Sequence, residues 1–132
     1  MPRGVRDDRG AATTQLVLVV PVLLLLAMLV VQFALVWHAR HIAQYAAGRA
    51  LAAARTKDGT AAEGRTQARR SLAALGSRVL TIPSVTVDRT TVQTTVRVRG
   101  KVIAVVPGLS LRASGTASGF TERLTSPTGD RP

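Results

Sequence analysis

The chain has no cysteine, two histidines and four aromatic residues in 132 positions. Without cysteine there is no disulfide framework, no thiolate zinc site and no cysteine nucleophile. The histidines, His38 and His41, are three residues apart and would share one helical face, but no third metal ligand lies near them. They read as solvated or headgroup-level side chains. Acids are equally sparse: seven in all, with Asp7 and Asp8 adjacent near the N-terminus and the other five isolated. No glycine-rich phosphate loop and no metal-ligand cluster occurs. The chain is therefore expected to be non-enzymatic, with no cofactor and no metal. The net charge of +11 would ordinarily suggest nucleic acid. Stacking on bases needs aromatic rings interleaved with cations, and only Phe120 with Arg123 offers that, so no nucleic-acid partner is expected. The basic residues are almost all Arg, Lys57 and Lys101 excepted. That charge reads as a composition bias that keeps a domain soluble or meets anionic headgroups and wall polymers.

What the chain does have is one long apolar block. Leu16 to Trp37 contains no charged residue, and 16 of its positions are Leu, Val or Phe. A helix of this length rises roughly 33 Å, against a hydrocarbon core of about 30 Å. Insertion gains roughly 5–10 kcal/mol from those side chains, more than Gln32 and Pro21 cost. Pro21 sits near the start of the block, where a kink frees few carbonyls, and Trp37 closes it as an interfacial aromatic. A cleavable secretory signal has a shorter apolar region and a small-x-small site directly after it. Here His38, Arg40 and His41 follow instead, so a retained anchor spanning 16–37 is expected. Arg and Lys flank both ends of the block, and charge alone does not orient it.

After the block the sequence is Ala-rich through residue 57, without proline, and the apolar helix is expected to continue to about Arg55. Asp58-Gly59 should end it. Small residues on this rod allow close packing against another helix. Thr60 to Glu63 fits a capping box that opens a second helix. Its thin apolar stripe is Ala61, Ala68, Leu72 and Leu75, and Gly76 is its expected C′ residue. Arg65, Arg69 and Arg70 form its solvated side. From Arg78 the period becomes two. Ser84 to Val87 is expected as a short strand, Asp88-Arg89-Thr90 as a turn, and Thr91 to Val102 as a strand. In that strand Val92, Thr94, Val96, Val98 and Val102 face one way, with Arg97, Arg99 and Lys101 opposite. Pro107-Gly108 marks a turn, and Ser110 to about Leu124 a return strand with Leu111, Ala113 and Ala117 on one side. The fold class is α+β: a long N-terminal transmembrane helix with an extracytoplasmic extension, a second short helix, and a small three-stranded antiparallel meander. So small a β core is marginal alone, so the sheet is expected to pack on the second helix and on a neighbouring chain.

The run Arg9-Gly10-Ala11-Ala12-Thr13-Thr14-Gln15-Leu16, followed by Val20-Pro21-Val22 and four leucines, resembles the start of the TadE-like family of pilus-assembly proteins. These are pseudopilins of tight-adherence systems. The Val-alternating strand and the Pro107-Gly108-Leu109 turn fit more loosely. The resemblance implies a pilin-like subunit in which a prepilin peptidase removes a short charged leader between Gly10 and Ala11. It also implies a cytoplasmic N-terminus and an apolar helix that contacts other pilin-like subunits and pilus assembly proteins. Gln15, Pro21 and Gln32 are the candidate assembly contacts in that helix. Two positions depart from the family pattern. Gln15 stands at the fifth position after the cut, where Glu is usual, and Gln32 replaces a second common Glu before Phe33. Gln15 is cheaper to bury but cannot neutralise a neighbour's terminal amine.

Together these readings divide the chain into a charged leader 1–10, an anchor with its extension 11–57, a small helix-plus-sheet domain 58–124 and a disordered tail 125–132. The expected protein is a non-enzymatic, single-pass component of the cytoplasmic membrane with its C-terminal domain outside. It is a minor pseudopilin, with the lipid bilayer, other pilin-like subunits and, if processed, a prepilin peptidase as partners. The alternative is a bitopic interaction or regulatory protein whose β domain binds a membrane partner or cell-wall polymer.

Overall fold

A computed structural model describes residues 7–123. The first six residues of the expected leader and the expected tail at 125–132 lie outside the described residues, as does Leu124. One helix, α1, runs without interruption over Asp7–Arg55, 49 residues, with Pro21 inside it. At 1.5 Å per residue it is about 74 Å long. It is the one described helix long and apolar enough to cross a membrane. It ends where expected. The Gly59 N–H closes a turn on the Thr56 carbonyl at 3.0 Å, and a Cβ on Gly59 would overlap the Ala53 carbonyl and the Thr56 hydroxyl.

The second helix, α2, spans Ala61–Leu75. Thr60 Oγ1 accepts from the Glu63 N–H at 3.1 Å, and the Thr60 N–H donates to Glu63 Oε2 at 2.8 Å, completing the capping box. Two expectations change here. Gly76 is the C-cap with φ −114°, in the right-handed region, and is not a left-handed C′ residue. Its small size serves packing instead, because a Cβ would stand 3.0 Å from Ile42 Cγ2 on α1. The buried face of α2 is Gly64, Ala68, Ser71 and Leu72, whereas Leu75 is exposed. Gly64 approaches Ala50 and Ala54, and Gly76 approaches Ile42. The helices therefore run antiparallel, in a contact that only small residues permit.

Three antiparallel strands follow in the order β1 (Leu80–Arg89), β2 (Gln93–Val102), β3 (Arg112–Phe120). β1 is longer than expected at both ends. It passes through Pro83 because it is an edge strand, where a missing N–H breaks no ladder bond. The register with β2 shifts between Thr81 and Ser84, and Ile82 there has φ 48°. The turn lies at Thr90–Gln93, later than the expected Asp88–Thr90. The Thr90 hydroxyl holds it, accepting from the Gln93 N–H at 2.9 Å and donating to the Gln93 carbonyl at 2.8 Å. Val92 is therefore an exposed turn residue and not an inward strand position. From Thr94 the alternation holds: Thr94, Val96, Val98, Gly100 and Val102 are buried, and Arg97, Arg99 and Lys101 are exposed.

Both helices cover one face of the sheet. α1 packs on β3 and β2, and α2 on β1. The sheet packs on α2 as expected, and the chain's own first helix forms the main wall of the core. On that wall Ala39, Ala43, Ala46, Ala47, Ala50 and Ala54 are fully buried. Toward α1, β3 turns Ala113, Gly115, Ala117 and Gly119 inward, which are the cross-strand partners of Gly100, Val98, Val96 and Thr94. At Gly115 the backbone of Ala43 and Gln44 comes so near that no Cβ fits between them. Gly115→Ala is expected to destabilise the head by about 1–3 kcal/mol through overpacking. Gly48, on the open side of α1 with nothing within 4 Å of a would-be Cβ, provides the contrast: Gly48→Ala is expected to stabilise by about 0.5–1 kcal/mol. Amide-exchange protection of β2 in detergent-solubilised protein should separate the two.

Candidate functional site

The candidate site is the surface of α1 and its junction with the head. From Gly10 to Ala27 every side chain is exposed, Leu24 at 61%. Nothing in the head reaches this stretch. Gly10 and Ala11 lie within the helix and are exposed, and Thr14 Oγ1 donates to the Gly10 carbonyl at 2.9 Å. Gln15 and Pro21 are exposed on the same free stretch. An α-helix turns about 100° per residue. Pro21 and Gln32, eleven residues apart, therefore lie on nearly the same side, with Gln15 well round from both.

Gln32 is placed differently from the other two. It is 0% exposed. Its Nε2 donates to the Ile103 carbonyl at 3.1 Å, and its Oε1 accepts from the Val105 N–H at 2.7 Å and, more weakly, from the Val106 N–H at 3.4 Å. An amide in an apolar helix must find partners or lose several kcal/mol. Here the loop between β2 and β3 supplies them all from within the chain, so this side chain is not offered to a neighbouring subunit. Gln44 makes a second clasp of the same kind. Its Nε2 donates to the Thr116 carbonyl at 2.9 Å and its Oε1 accepts from the Thr116 N–H at 3.2 Å. It satisfies backbone groups on the outer edge of β3, where another strand would otherwise pair. Nothing in the sequence marks Gln44. A single Gln in an Ala-rich run gains meaning only once β3 lies beside it.

The remaining candidates lie elsewhere. The His41 ring packs on Trp37, centroids 5.3 Å apart, and both side chains are exposed, as is His38. Among the described residues no three His, Asp or Glu side chains converge as a metal site would require. Arg65, Arg69 and Arg70 are exposed on α2. At the end of the head far from the apolar stretch, Arg55 Nε stands 3.8 Å from Glu122 Oε1, both half-exposed. A pair of this kind contributes little to stability.

An apolar rod with a small α+β head folded back on its second half suggests a single-pass membrane protein. Residues 10–56 match the model of the TadE-like protein family, the family that the opening residues resemble. The match covers α1 and stops short of α2 and the sheet. The matched family is a structural, pilus-assembly family, and the match over this part of the chain suggests a pilus-assembly-related membrane protein. No curated protein and no solved structure matches the chain.

Gln32→Leu is expected to leave the Ile103 carbonyl and the Val105 N–H without partners, at about 1–3 kcal/mol. Exchange of the Val105 and Val106 amides should then speed up about tenfold or more, with β1 and β2 little changed. Gln44→Leu should have a smaller effect, because water can reach the exposed edge of β3.

Proposed function

We propose that this chain is a minor pseudopilin in the assembly of a tight-adherence type pilus or related secretion apparatus, acting without catalysis. Its N-terminus is cytoplasmic and its head extracytoplasmic. Residues 1–10 are the leader, 11–57 the anchor and its extension, and 58–124 the head. The carrying observation is the free stretch of α1, exposed on all sides from Gly10 to Ala27. Such a rod can move from lipid into a bundle of like helices without unsatisfying any backbone group, because its hydrogen bonds are internal. The family match over residues 10–56 supports the same reading.

The site residues then take distinct roles. A prepilin peptidase cuts between Gly10 and Ala11, unwinding the helix locally to reach that bond. Gln15 lies in the fifth position of the mature chain and hydrogen-bonds a neighbour's N-terminal group without neutralising it. This weakens subunit addition and suits a minor component better than a bulk filament subunit. Pro21 leaves the Val17 carbonyl without its usual partner, a local acceptor in the lateral surface. Gln32 holds the head to the rod.

The test is the intact mass and N-terminal sequence of the protein taken from native membranes. A mature chain beginning at Ala11 is expected, and Gly10→Val should accumulate the full-length form and lower pilus yield. A native chain that keeps Arg3 to Gly10, with pili unaffected by Gly10→Val, would overturn this reading in favour of the bitopic interaction protein.

A further inference from the structure

The loop joining β2 to β3 is apolar, exposed and fixed beside the apolar part of α1. Residues 103–109 read Ile-Ala-Val-Val-Pro-Gly-Leu, without a charge. Ile103, Ala104 and Pro107 are exposed, and Val105, Val106 and Leu109 half-buried. The Gln32 clasp sets the depth of this loop. Gln32 precedes Trp37 by five residues, so the loop reaches about 7–8 Å along the helix from Trp37 into the apolar block. An irregular loop at that depth needs its own backbone satisfied. The N–H groups of Val105 and Val106 bond to Gln32, that of Ile103 bonds to Val79, and that of Leu109 to Val106. Pro107 has none to offer.

Directly above the loop stands a cationic lip. Lys101 and Arg112 are cross-strand partners on the first rung, and Arg99 faces Ser114 two residues further up. All three cations are exposed on the sheet face turned away from the helices. They line one shallow cleft together with Ile82, which is 78% exposed. Among the described residues the one ion pair is Arg55–Glu122 at the opposite end of the head. The nearest acid on the strands, Asp88, pairs with Thr95, beyond Arg97. Ser114 lines both this cleft and a second groove formed by Trp37, Arg40, His41 and Gln44. The cations therefore lie at about the level of Trp37, the residue type that marks the membrane–water interface.

We propose that this end of the head is a lipid-binding foot. Residues 103–109 enter the headgroup–acyl boundary of the leaflet on the head's side, and Arg99, Lys101 and Arg112 bind the phosphates of anionic phospholipids in that leaflet. An uncharged loop continuous with the spanning helix, topped by unpaired cations, matches the layering of that boundary: hydrocarbon below, phosphate above. The proposal rests on α1 spanning the bilayer, and it adds a second point of attachment that sets the tilt and depth of the head.

The absence of cysteine makes the test clean. Single variants Leu24→Cys, Ala104→Cys and Thr86→Cys of the full chain are labelled with an environment-sensitive fluorophore and reconstituted into phosphatidylcholine vesicles. The vesicles carry a spin label on either phosphatidylcholine or phosphatidylglycerol headgroups. The label at 24 is expected in hydrocarbon and that at 86 in water. The label at 104 is expected to be quenched, with phosphatidylglycerol about fivefold more effective than phosphatidylcholine. Combining R99Q, K101Q and R112Q should abolish that preference while leaving amide exchange in β2 unchanged. R99K combined with R112K should retain it. An aqueous label at 104 with a buried label at 24 would overturn the proposal. Equal quenching by both lipids would overturn it too, leaving the cations to an acidic protein or wall polymer. An aqueous label at 24 would instead overturn the spanning reading beneath it.

Discussion

The close approach of α1 to β3 is the contact on which the rest of the head depends. Ala43 and the backbone of Gln44 lie against Gly115 of β3, while Ala50 and Ala54 lie against Gly64 of α2, so small residues line both contacts of α1. Helix and strand backbones therefore come within van der Waals reach near Gly115. Larger residues would bury more area but would push the helix outward by ångströms. The Gln44 and Gln32 amides, which reach the backbone of residues 71 to 74 positions away, would then miss. The small residues give up apolar area in exchange for register.

One unbroken helix works in two environments. Over 10–27 its side chains are exposed all round, as suits lipid or a bundle of similar helices. Over 39–54 one face is closed by alanine against α2 and the sheet, while Arg40, Gln44, Gly48 and Arg49 stay outside. Gln32 stands between these regimes. Because the helix is continuous, the orientation of the head is coupled to that of the anchor. The head also lacks a core of its own. Its buried residues are Val, Ala and a few Leu and Ile, and about half of them belong to α1. A domain that borrows a wall from its anchor has little stability apart from it.

Much was legible in the sequence, for local reasons. The apolar block and the Ala-rich run each specify helix through residues close together in the chain. The Thr60–Glu63 box closes over three residues, the Val alternation of β2 follows from its period, and Pro107-Gly108 turns within a few positions. Errors occurred where a local signal had a competing explanation. Gly76 had the position of a left-handed cap but is small because Ile42 lies against it. Pro83 suggested a strand start, yet the strand passes through it at an edge. Val92 fitted the alternation, yet the Thr90 hydroxyl drew it into the turn. Leu75 lay on the apolar stripe but its side chain is exposed.

The sequence by itself determined the long apolar helix, the order of elements and the family resemblance of the first helix. All of these are set by composition or by spacing within a few turns. Only the tertiary structure decided what the polar residues of the rod do. Gln15 and Gln32 are chemically identical and both lie in the apolar helix. One remains on the free surface, and the other is buried because a loop some seventy residues later folds back onto it. The same fold brought Lys101 and Arg112 together above that loop. A hydrogen bond between distant residues depends on the path of all the chain between them, and that path is set by packing, which no single stretch of sequence contains.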